Sequence, residues 1–222
     1  MDIRITDLKQ GVRNHDRVNV YVNDKFSFSL DVSQVVDFKI KKGLVISEEQ
    51  LEEFKKASEF GKLYQRALEW VLLRPRSERE CRDYLKRKLI MSLRGSSLSP
   101  RSNCGFPSED INEFSDRIIQ RLKVRKYLDD LRFAEYYVEN RFVKKGVSLK
   151  RLRVELMKKG VSKDIIDEVL ANSDRSDEEE ILKIIAKKRA KYDDEKLTAY
   201  LLRQGFLYDS VRELVARSSE MD

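Results

Sequence analysis

Few residues of this chain have the types and spacing that catalysis requires. The single histidine, His15, could act as a general base, but it lies in a polar turn with no nucleophile or orienting partner near it in the sequence. Two aspartate pairs, Asp129–Asp130 and Asp193–Asp194, could ligate a magnesium ion. Each pair begins a helical pattern, so helix capping explains these carboxylates more simply. The one Gly-Lys pair, Gly61–Lys62, lacks the rest of a phosphate-binding loop. The sequence therefore predicts a protein that is not an enzyme.

The cysteines also argue against a cofactor site. Cys81 and Cys104 are too few for a disulfide framework or a four-ligand zinc site. We interpret Cys81 as a small core residue and Cys104 as an exposed thiol. The sequence has no apolar run of about 18 residues and no basic segment followed by an apolar one at its start. We therefore expect no cofactor, no metal, no membrane contact and a reduced, cytoplasmic location.

Composition favours a helical protein with a large solvated surface. The chain has 222 residues, 41% hydrophobic and 38% charged, with only eight glycines and three prolines. A charged fraction near 25% is usual for globular domains. The length is sufficient for two modest cores.

The N-terminal residues differ from the rest. Residues 17–22 alternate polar and apolar side chains, Asn23–Asp24 forms a turn, and residues 26–30 continue the period of two. This pattern predicts a β-hairpin, with Ile3 and Ile5 on a third strand. Residues 47–50 have the sequence of a capping box, which predicts the start of a helix there.

From about residue 61 the pattern is helical and it repeats. A shift of 45 residues superimposes Leu152 on Leu197, Gly160 on Gly205 and the N-cap candidate Ser148 on Asp193. Each unit comprises an upstream amphipathic helix and a pair of helices around the glycine. Helical units of this period leave apolar faces that a neighbouring copy must cover, so stacking is expected.

A more divergent first copy precedes these two. Ser77, Cys81 and Leu85 lie 71 residues before their counterparts, and the Ser-, Gly- and Pro-rich stretch 92–110 indicates a flexible insert. Leu89 stands where the other copies have glycine, so a different turn is expected there. The predicted fold is mainly α, with three tandem three-helix repeats in an elongated curved array and a small N-terminal β-hairpin or three-strand region. The predicted divisions are a β extension with a linking helix at 1–60, a first repeat at 61–126 with an insert at 91–110, a second at 127–172 and a third at 173–222.

Positive charge is concentrated in two stretches. Residues 74–101 contain nine Lys or Arg and three Asp or Glu, and residues 121–160 contain thirteen and five, whereas the whole chain is only +7. Solvated helix faces are one explanation, and a surface for an acidic partner is the one we favour. The aromatic residues Tyr127, Phe133, Tyr136 and Tyr137 lie in this region. Base stacking is conceivable, but the i, i+3 and i+4 spacing of Phe133, Tyr136 and Tyr137 favours core packing.

Several of these segments resemble a known family. Arg76-Ser77-Glu78 with Tyr84-Leu85 resembles the opening of a first repeat, and residues 127–134, YLDDLRFA, resemble the signature between first and second repeats. Gly146, Gly160 and Gly205 continue the pattern. The chain is similar across residues 61–222 to the RecX family, regulators of the recombinase RecA, and its N-terminal extension resembles that of some members.

The resemblance implies a non-enzymatic monomer that binds RecA and its filament on single-stranded DNA and restrains ATP hydrolysis and strand exchange. The expected mechanism is competitive, with a basic side neutralising acidic RecA loops or DNA phosphate. Independent binding of single- or double-stranded DNA remains open, and a stand-alone DNA-binding helical-repeat protein is the alternative function. A passive scaffold for another protein is a third. The predicted partner-binding residues are Arg82, Lys86, Arg87, Arg125, Arg132, Arg141, Lys144, Lys145, Lys150, Arg151 and Arg153.

Overall fold

A computed structural model describes residues 3–12, 14–95 and 110–219 of the chain. The described part is mostly helical, with a small antiparallel sheet near the N terminus, as the sequence predicts. The strands are β1 (Ile3–Gln10), β2 (Arg17–Val22), β3 (Lys25–Asp31) and β4 (Val45–Ile46). The helices are α1 (Val32–Asp37), α2 (Glu48–Leu72), α3 (Glu78–Gly95), α4 (Asp110–Val124), α5 (Asp130–Asn140), α6 (Leu149–Lys158), α7 (Lys163–Ala171), α8 (Asp177–Lys188), α9 (Asp194–Arg203) and α10 (Tyr208–Ser219). No helix among these described residues is long and apolar enough to cross a bilayer.

The N-terminal sheet has the strand order β3-β2-β1-β4 and is antiparallel throughout. The predicted hairpin and third strand are confirmed. Asn23 and Asp24 have φ values of 47° and 64°, the left-handed geometry of a two-residue hairpin turn. Sequence analysis missed β4, because two residues are too few to show an alternating pattern.

One face of this sheet packs on α2. Ile5, Val20 and Leu30 are fully buried, and they share a core with Phe28 and Phe54. A sheet this small needs such a helical cover to be stable. The helix therefore supplies the second layer of the N-terminal region.

Helix α2 begins at the predicted capping box. The backbone N–H of Gln50 donates to Oγ of Ser47 at 3.1 Å, and the backbone N–H of Ser47 donates to Oε1 of Gln50 at 3.0 Å. The helix then continues without interruption to Leu72, through the predicted boundary between residues 60 and 61. The division of the chain into repeats at that residue stays a prediction.

The chain forms two compact units. One comprises residues 1–72 and 84–122, and the other comprises residues 73–83 and 123–222, so α3 contributes to both. In the first unit, α2 packs on α3 and α4. The Trp70 ring stacks on Tyr84 at 4.5 Å between centroids, and the Phe60 ring meets Phe114 edge-on at 5.5 Å.

The second unit contains two three-helix groups, α5–α7 and α8–α10, each with its own apolar core. The leucines aligned by the 45-residue shift are buried in both groups, with no exposure at Leu152, Leu156, Leu197 or Leu201. We call these groups the second and third repeats. Their shared core positions confirm the predicted helical repeat.

The first copy departs from the other two at Leu89. Helix α3 runs for 18 residues and passes through Leu89, which is buried, whereas α6 and α9 have 10 residues each. The turn expected at this position is absent, because leucine favours continuation of a helix where glycine favours its end. Cys104 and most of the predicted insert lie outside the described residues.

Cys81 occupies the core position predicted for it. Its side chain is fully buried, and burial raises the pKa of the thiol to about 12. A thiol with so high a pKa stays protonated near neutral pH and reacts slowly. Cys81 is therefore a small apolar core residue.

A buried serine joins successive repeats within the second unit. Ser77, before α3, donates its hydroxyl to the carbonyl of Lys159 at 2.8 Å. Ser148, before α6, donates in the same way to the carbonyl of Gln204 at 2.7 Å. Both hydroxyls also accept a backbone N–H from their own helix, so each serine is an N-cap and an inter-repeat contact at once.

A second hydrogen bond completes each joint. The backbone N–H of Glu78 donates to Oδ1 of Asp130, and the backbone N–H of Leu149 donates to Oδ1 of Asp177, both at 2.8 Å. Burial raises the pKa of both aspartates. Each carboxylate accepts an N–H that the first turn of a helix leaves unpaired.

The glycine at the joint is required by space as well as by conformation. Gly160 has a φ of 84°, and a Cβ there would lie 2.8 Å from Cβ of Arg79. Gly205 has a φ of 94°, and a Cβ there would lie 3.1 Å from Oγ of Ser148. A larger residue would be strained and would push the neighbouring helix away.

Candidate partner-binding surface

The basic stretch centres on the turn between α5 and α6. Arg141 ends α5 as its C-cap, and its backbone N–H donates to the carbonyl of Tyr137. Phe142 follows with a φ of 50°, and Gly146 with a φ of 80° leads into Ser148, the N-cap of α6. A Cβ at Gly146 would lie 2.7 Å from the carbonyl oxygen of Glu180, so only glycine fits. The third repeat thus holds this turn in place.

Three predicted basic residues surround one aromatic ring. Cζ of Arg141 lies 3.6 Å from the centroid of the Phe142 ring, and Cζ of Arg151 and Nζ of Lys145 each lie 5.8 Å from it. Such cation–π contacts contribute about 0.5–1 kcal/mol each where they are exposed. We call Arg141, Phe142, Lys145 and Arg151, together with Glu155, which pairs with both arginines, the Phe142 cluster.

Glu155 orients the arginines of the Phe142 cluster. It accepts hydrogen bonds from Arg141 at 2.8 and 3.2 Å, from Arg151 at 3.2 Å and from the Tyr137 hydroxyl at 2.7 Å. Burial alone would raise the pKa of the Glu155 carboxyl, but these donors lower it to about 2. Burial and the adjacent carboxylate raise the pKa of Tyr137 to about 12. The Glu155 carboxylate therefore stays ionised at any physiological pH.

The first turn of α6 carries cations where most helices carry anions. It contains Lys150 and Arg151 and no acidic residue, whereas α9 begins with Asp194 and Glu195. The positive end of the helix dipole disfavours cations. Stability alone does not explain this placement, which favours a role in binding.

Three lysines in or next to the Phe142 cluster are available to a partner. Lys144, Lys145 and Lys150 are exposed, and none of them forms an ion pair with another described residue. Because Glu155 neutralises only part of the arginine charge, the surface remains strongly positive. It can bind anions such as carboxylates or phosphates.

The other predicted partner-binding residues are distributed over both compact units. Arg153 pairs with Asp167 of α7, and Arg82 pairs with Glu78 at 3.2 Å. These arginines therefore already have intramolecular partners. Of the remaining predicted residues, Lys86 is half-buried. The other three are exposed: Arg87, Arg125 and Arg132.

Two residues at the centre of the surface were not predicted. Phe142 and Glu155 hold the arginines, yet neither has a charge or spacing that marks a binding residue by sequence. The signal that could have found Glu155 is its position four residues after Arg151, the spacing of a helical ion pair.

The threaded aromatic residues mostly belong to the core, as expected. Phe133 is fully buried, and the half-buried Tyr137 packs on the same core cluster. Tyr136 is also half-buried, whereas Tyr127 is exposed. The core interpretation, which depends on the spacing of Phe133, Tyr136 and Tyr137, is therefore confirmed for Phe133 and Tyr137.

The aspartates considered as metal ligands cap helices in this fold, and the histidine lies at the surface. His15 is exposed in the turn before β2. Asp129 accepts the backbone N–H groups of Leu131 and Arg132, and Asp193 accepts that of Lys196, so both are N-caps. The capping interpretation is confirmed. Within the part of the chain that the structure describes, no three His, Cys, Asp or Glu residues group as metal ligands.

Comparisons with known proteins agree with this architecture. A family model described as the second three-helix domain of RecX matches residues 129–170, which span α5 to α7. A second model, the N-terminal domain of regulatory protein RecX, matches residues 3–47.

Two curated relatives cover most of the chain. The regulatory protein RecX of Clostridium perfringens strain SM101 is 32% identical over 224 aligned residues, which cover 96% of this chain and 95% of the relative. The regulatory protein RecX of Bacillus licheniformis is 29% identical, over 93% of this chain and 74% of the relative.

Two crystal structures share the fold. One, of a regulatory protein RecX, has a TM-score of 0.67 and 23% identity, over 97% of this chain and 99% of that one. The other, RecX from Lactobacillus salivarius, has a TM-score of 0.51 and 22% identity, over 71% of this chain and 95% of that one. At such identities the likeness concerns the fold alone.

Proposed function

Because this chain belongs to the RecX family of regulatory proteins, we propose that it regulates the recombinase RecA by binding RecA and its filament on single-stranded DNA. Binding restrains ATP hydrolysis and strand exchange and thereby modulates recombination and DNA repair. The chain acts as a cytoplasmic monomer, without catalysis or a cofactor of its own.

One observation carries the proposal: the Phe142 cluster and its exposed lysines form a positive surface with fixed orientation. A filament of protein on DNA presents both acidic side chains and phosphates, and a field of this sign attracts them. Arg141 is already held by Phe142 and Glu155, so little side-chain entropy is lost when a partner binds it.

Competition is the mechanism that fits such a surface. Three exposed lysines have ammonium groups that can pair with anions: Lys144, Lys145 and Lys150. Each ammonium group can bind an anionic group of the filament and displace the filament cation that pairs with that group. Bound chain then prevents the conformational steps that strand exchange needs. This mechanism requires no reactive group.

The experiment that tests the proposal is ATP turnover by RecA on single-stranded DNA, with and without the chain. The expected result is a loss of ATP turnover that increases with the amount of chain added. The loss occurs at a molar ratio well below one chain for each nucleotide of the DNA that RecA covers. Full turnover in excess chain, measured at about 50 mM salt, would contradict the proposal, since electrostatic binding is strongest at low salt.

The alternative function, stand-alone DNA binding through the helical repeats, predicts a different result. A gel shift without RecA would show tight binding that weakens steeply between two salt concentrations, because each neutralised phosphate releases counterions. Tight binding of this kind, combined with unchanged RecA turnover, would favour the alternative.

A further inference from the structure

A row of side chains crosses the N-terminal sheet on the face opposite its core. Asp7 of β1 pairs in register with Tyr21 of β2, and Tyr21 pairs with Phe26 of β3. The Tyr21 and Phe26 rings meet edge-on with centroids 6.1 Å apart. Phe26 is 56% exposed, whereas Phe28 on the same strand is buried.

Lysines extend this row. Nζ of Lys9 lies 5.0 Å from the centroid of the Tyr21 ring and 3.5 Å from the carboxylate of Asp7. Nζ of Lys42 approaches the other oxygen of Asp7 at 3.7 Å. Both lysine side chains are mostly solvent-exposed. One carboxylate is thus shared by two ammonium groups, and the row as a whole is positive.

We propose that this row, the Tyr21–Phe26 face, is a binding site for single-stranded nucleic acid. A base stacks on the exposed face of the Phe26 ring, and Lys9 and Lys42, which both lie at the Asp7 end of the row, contact a neighbouring phosphate. Stacking on an aromatic side chain is available only to an unpaired base, so a duplex is a poor ligand.

The chemistry of the face favours this ligand over others. An acidic peptide would satisfy the lysines but would leave the Phe26 ring uncovered. An apolar protein surface would cover Phe26 but would bury two ammonium groups that share the single carboxylate of Asp7, which is costly. A single strand supplies a base for the Phe26 ring and a nearby phosphate for the lysines.

The site is separate from the Phe142 cluster and belongs to the other compact unit. It does not depend on the proposed regulation of RecA, since it concerns contacts with nucleic acid alone. The two proposals can therefore fail independently.

A cross-strand aromatic pair also stabilises a hairpin, so the experiment must distinguish stacking of a base from stability of the sheet. Binding of the full chain is measured by fluorescence anisotropy with two labelled 12-residue probes. One is oligothymidylate and the other is the same backbone with abasic residues, which has equal charge and no bases.

The native chain should bind the thymidine probe about ten-fold more tightly than the abasic probe, since one stacked base contributes on that order. Phe26→Ala should reduce this ratio to about one while leaving the circular dichroism spectrum unchanged. Val36→Ala, which truncates another exposed apolar residue of the same unit, is the matched control and should keep the native ratio.

Charge is tested with Lys9→Gln, which should weaken both probes equally, and with Lys56→Gln on the exposed face of α2 as its control. Photocrosslinking with 5-iododeoxyuridine in the thymidine probe should label Tyr21 or Phe26. A native chain that does not distinguish the probes, an unchanged ratio in Phe26→Ala, or crosslinks confined to residues 121–160 would overturn the proposal.

Discussion

The second and third repeats have the same framework but differ in net charge at aligned positions. Residues 141–153 contain six Lys or Arg and no acidic residue, whereas the aligned residues 186–198 contain five basic and three acidic residues. Both stretches nevertheless contain an N-cap and a buried leucine at matching positions, Ser148 with Leu152 and Asp193 with Leu197. The framework is therefore compatible with very different surfaces, and the charge of a repeat reports on its role.

The two repeats also place their buried or half-buried glutamates differently. Glu180 of the third repeat is fully buried, and it accepts hydrogen bonds from Arg175, Lys183 and the backbone N–H of Val147. Glu155 of the second repeat lies at the surface and holds arginines that solvent can reach. One carboxylate stabilises the joint between repeats, and the other shapes a surface for a partner.

The largest expected effect is the loss of the buried carboxylate. Glu180→Ala leaves the Arg175 guanidinium and the Val147 N–H without their acceptor, so we expect the free energy of unfolding to fall by about 3–5 kcal/mol. Urea unfolding followed by circular dichroism measures the loss, and hydrogen exchange locates it in α8 and in the turn before α6.

The matched control is Glu155→Ala in the second repeat. Because water can replace that carboxylate, we expect a loss of only about 1–2 kcal/mol. Equal losses for the two variants would contradict the distinction between a joint carboxylate and a surface carboxylate.

A smaller effect separates the two aligned N-caps. Ser148→Ala removes a cap and the hydrogen bond to the Gln204 carbonyl, so a loss of about 2 kcal/mol is expected. Asp193→Ala removes an exposed cap and an exposed ion pair with Lys196, so a smaller loss is expected. Thermal melts of both variants give the comparison. A larger loss for Asp193→Ala would show that the serine joint adds no stability.

Most of the framework could be predicted from the sequence, because its signals are local. The alternation around Val20, the capping box at Ser47 and the leucine–glycine spacing before Gly160 each depend on a few neighbouring residues. The family resemblance depends on the same short segments, and it too is confirmed. Helix length was harder to predict at Leu89, where a missing glycine allows α3 to continue.

The candidate surface could be predicted only in part, because its geometry depends on long-range contacts. Asp130 accepts a backbone N–H from the first turn of a helix that begins 52 residues earlier. Asp177 does the same for a helix that begins 28 residues earlier. No local pattern indicates those partners. Charge density located the region of Lys144 and Lys150, but the arrangement around Phe142 depends on how α5 and α6 meet.

The most direct test of the central claim compares charge reversal in the two repeats. One variant carries Glu in place of Lys144, Lys145, Lys150 and Arg151. The other carries Glu in place of four exposed cations of the third repeat, Lys187, Lys191, Arg203 and Arg212. Both change the net charge equally, and circular dichroism verifies that each remains folded.

Arg151 also pairs with Glu155, so its reversal could act through that ion pair. A second version of the second-repeat variant therefore keeps Arg151 and reverses only Lys144, Lys145 and Lys150. The measurement is the chain concentration that halves ATP turnover by RecA on single-stranded DNA. We predict that reversal in the second repeat abolishes inhibition, whereas reversal in the third changes that concentration by no more than about two-fold, as expected for a general field effect. Equal effects of the two reversals, or native inhibition by both second-repeat variants, would contradict the account.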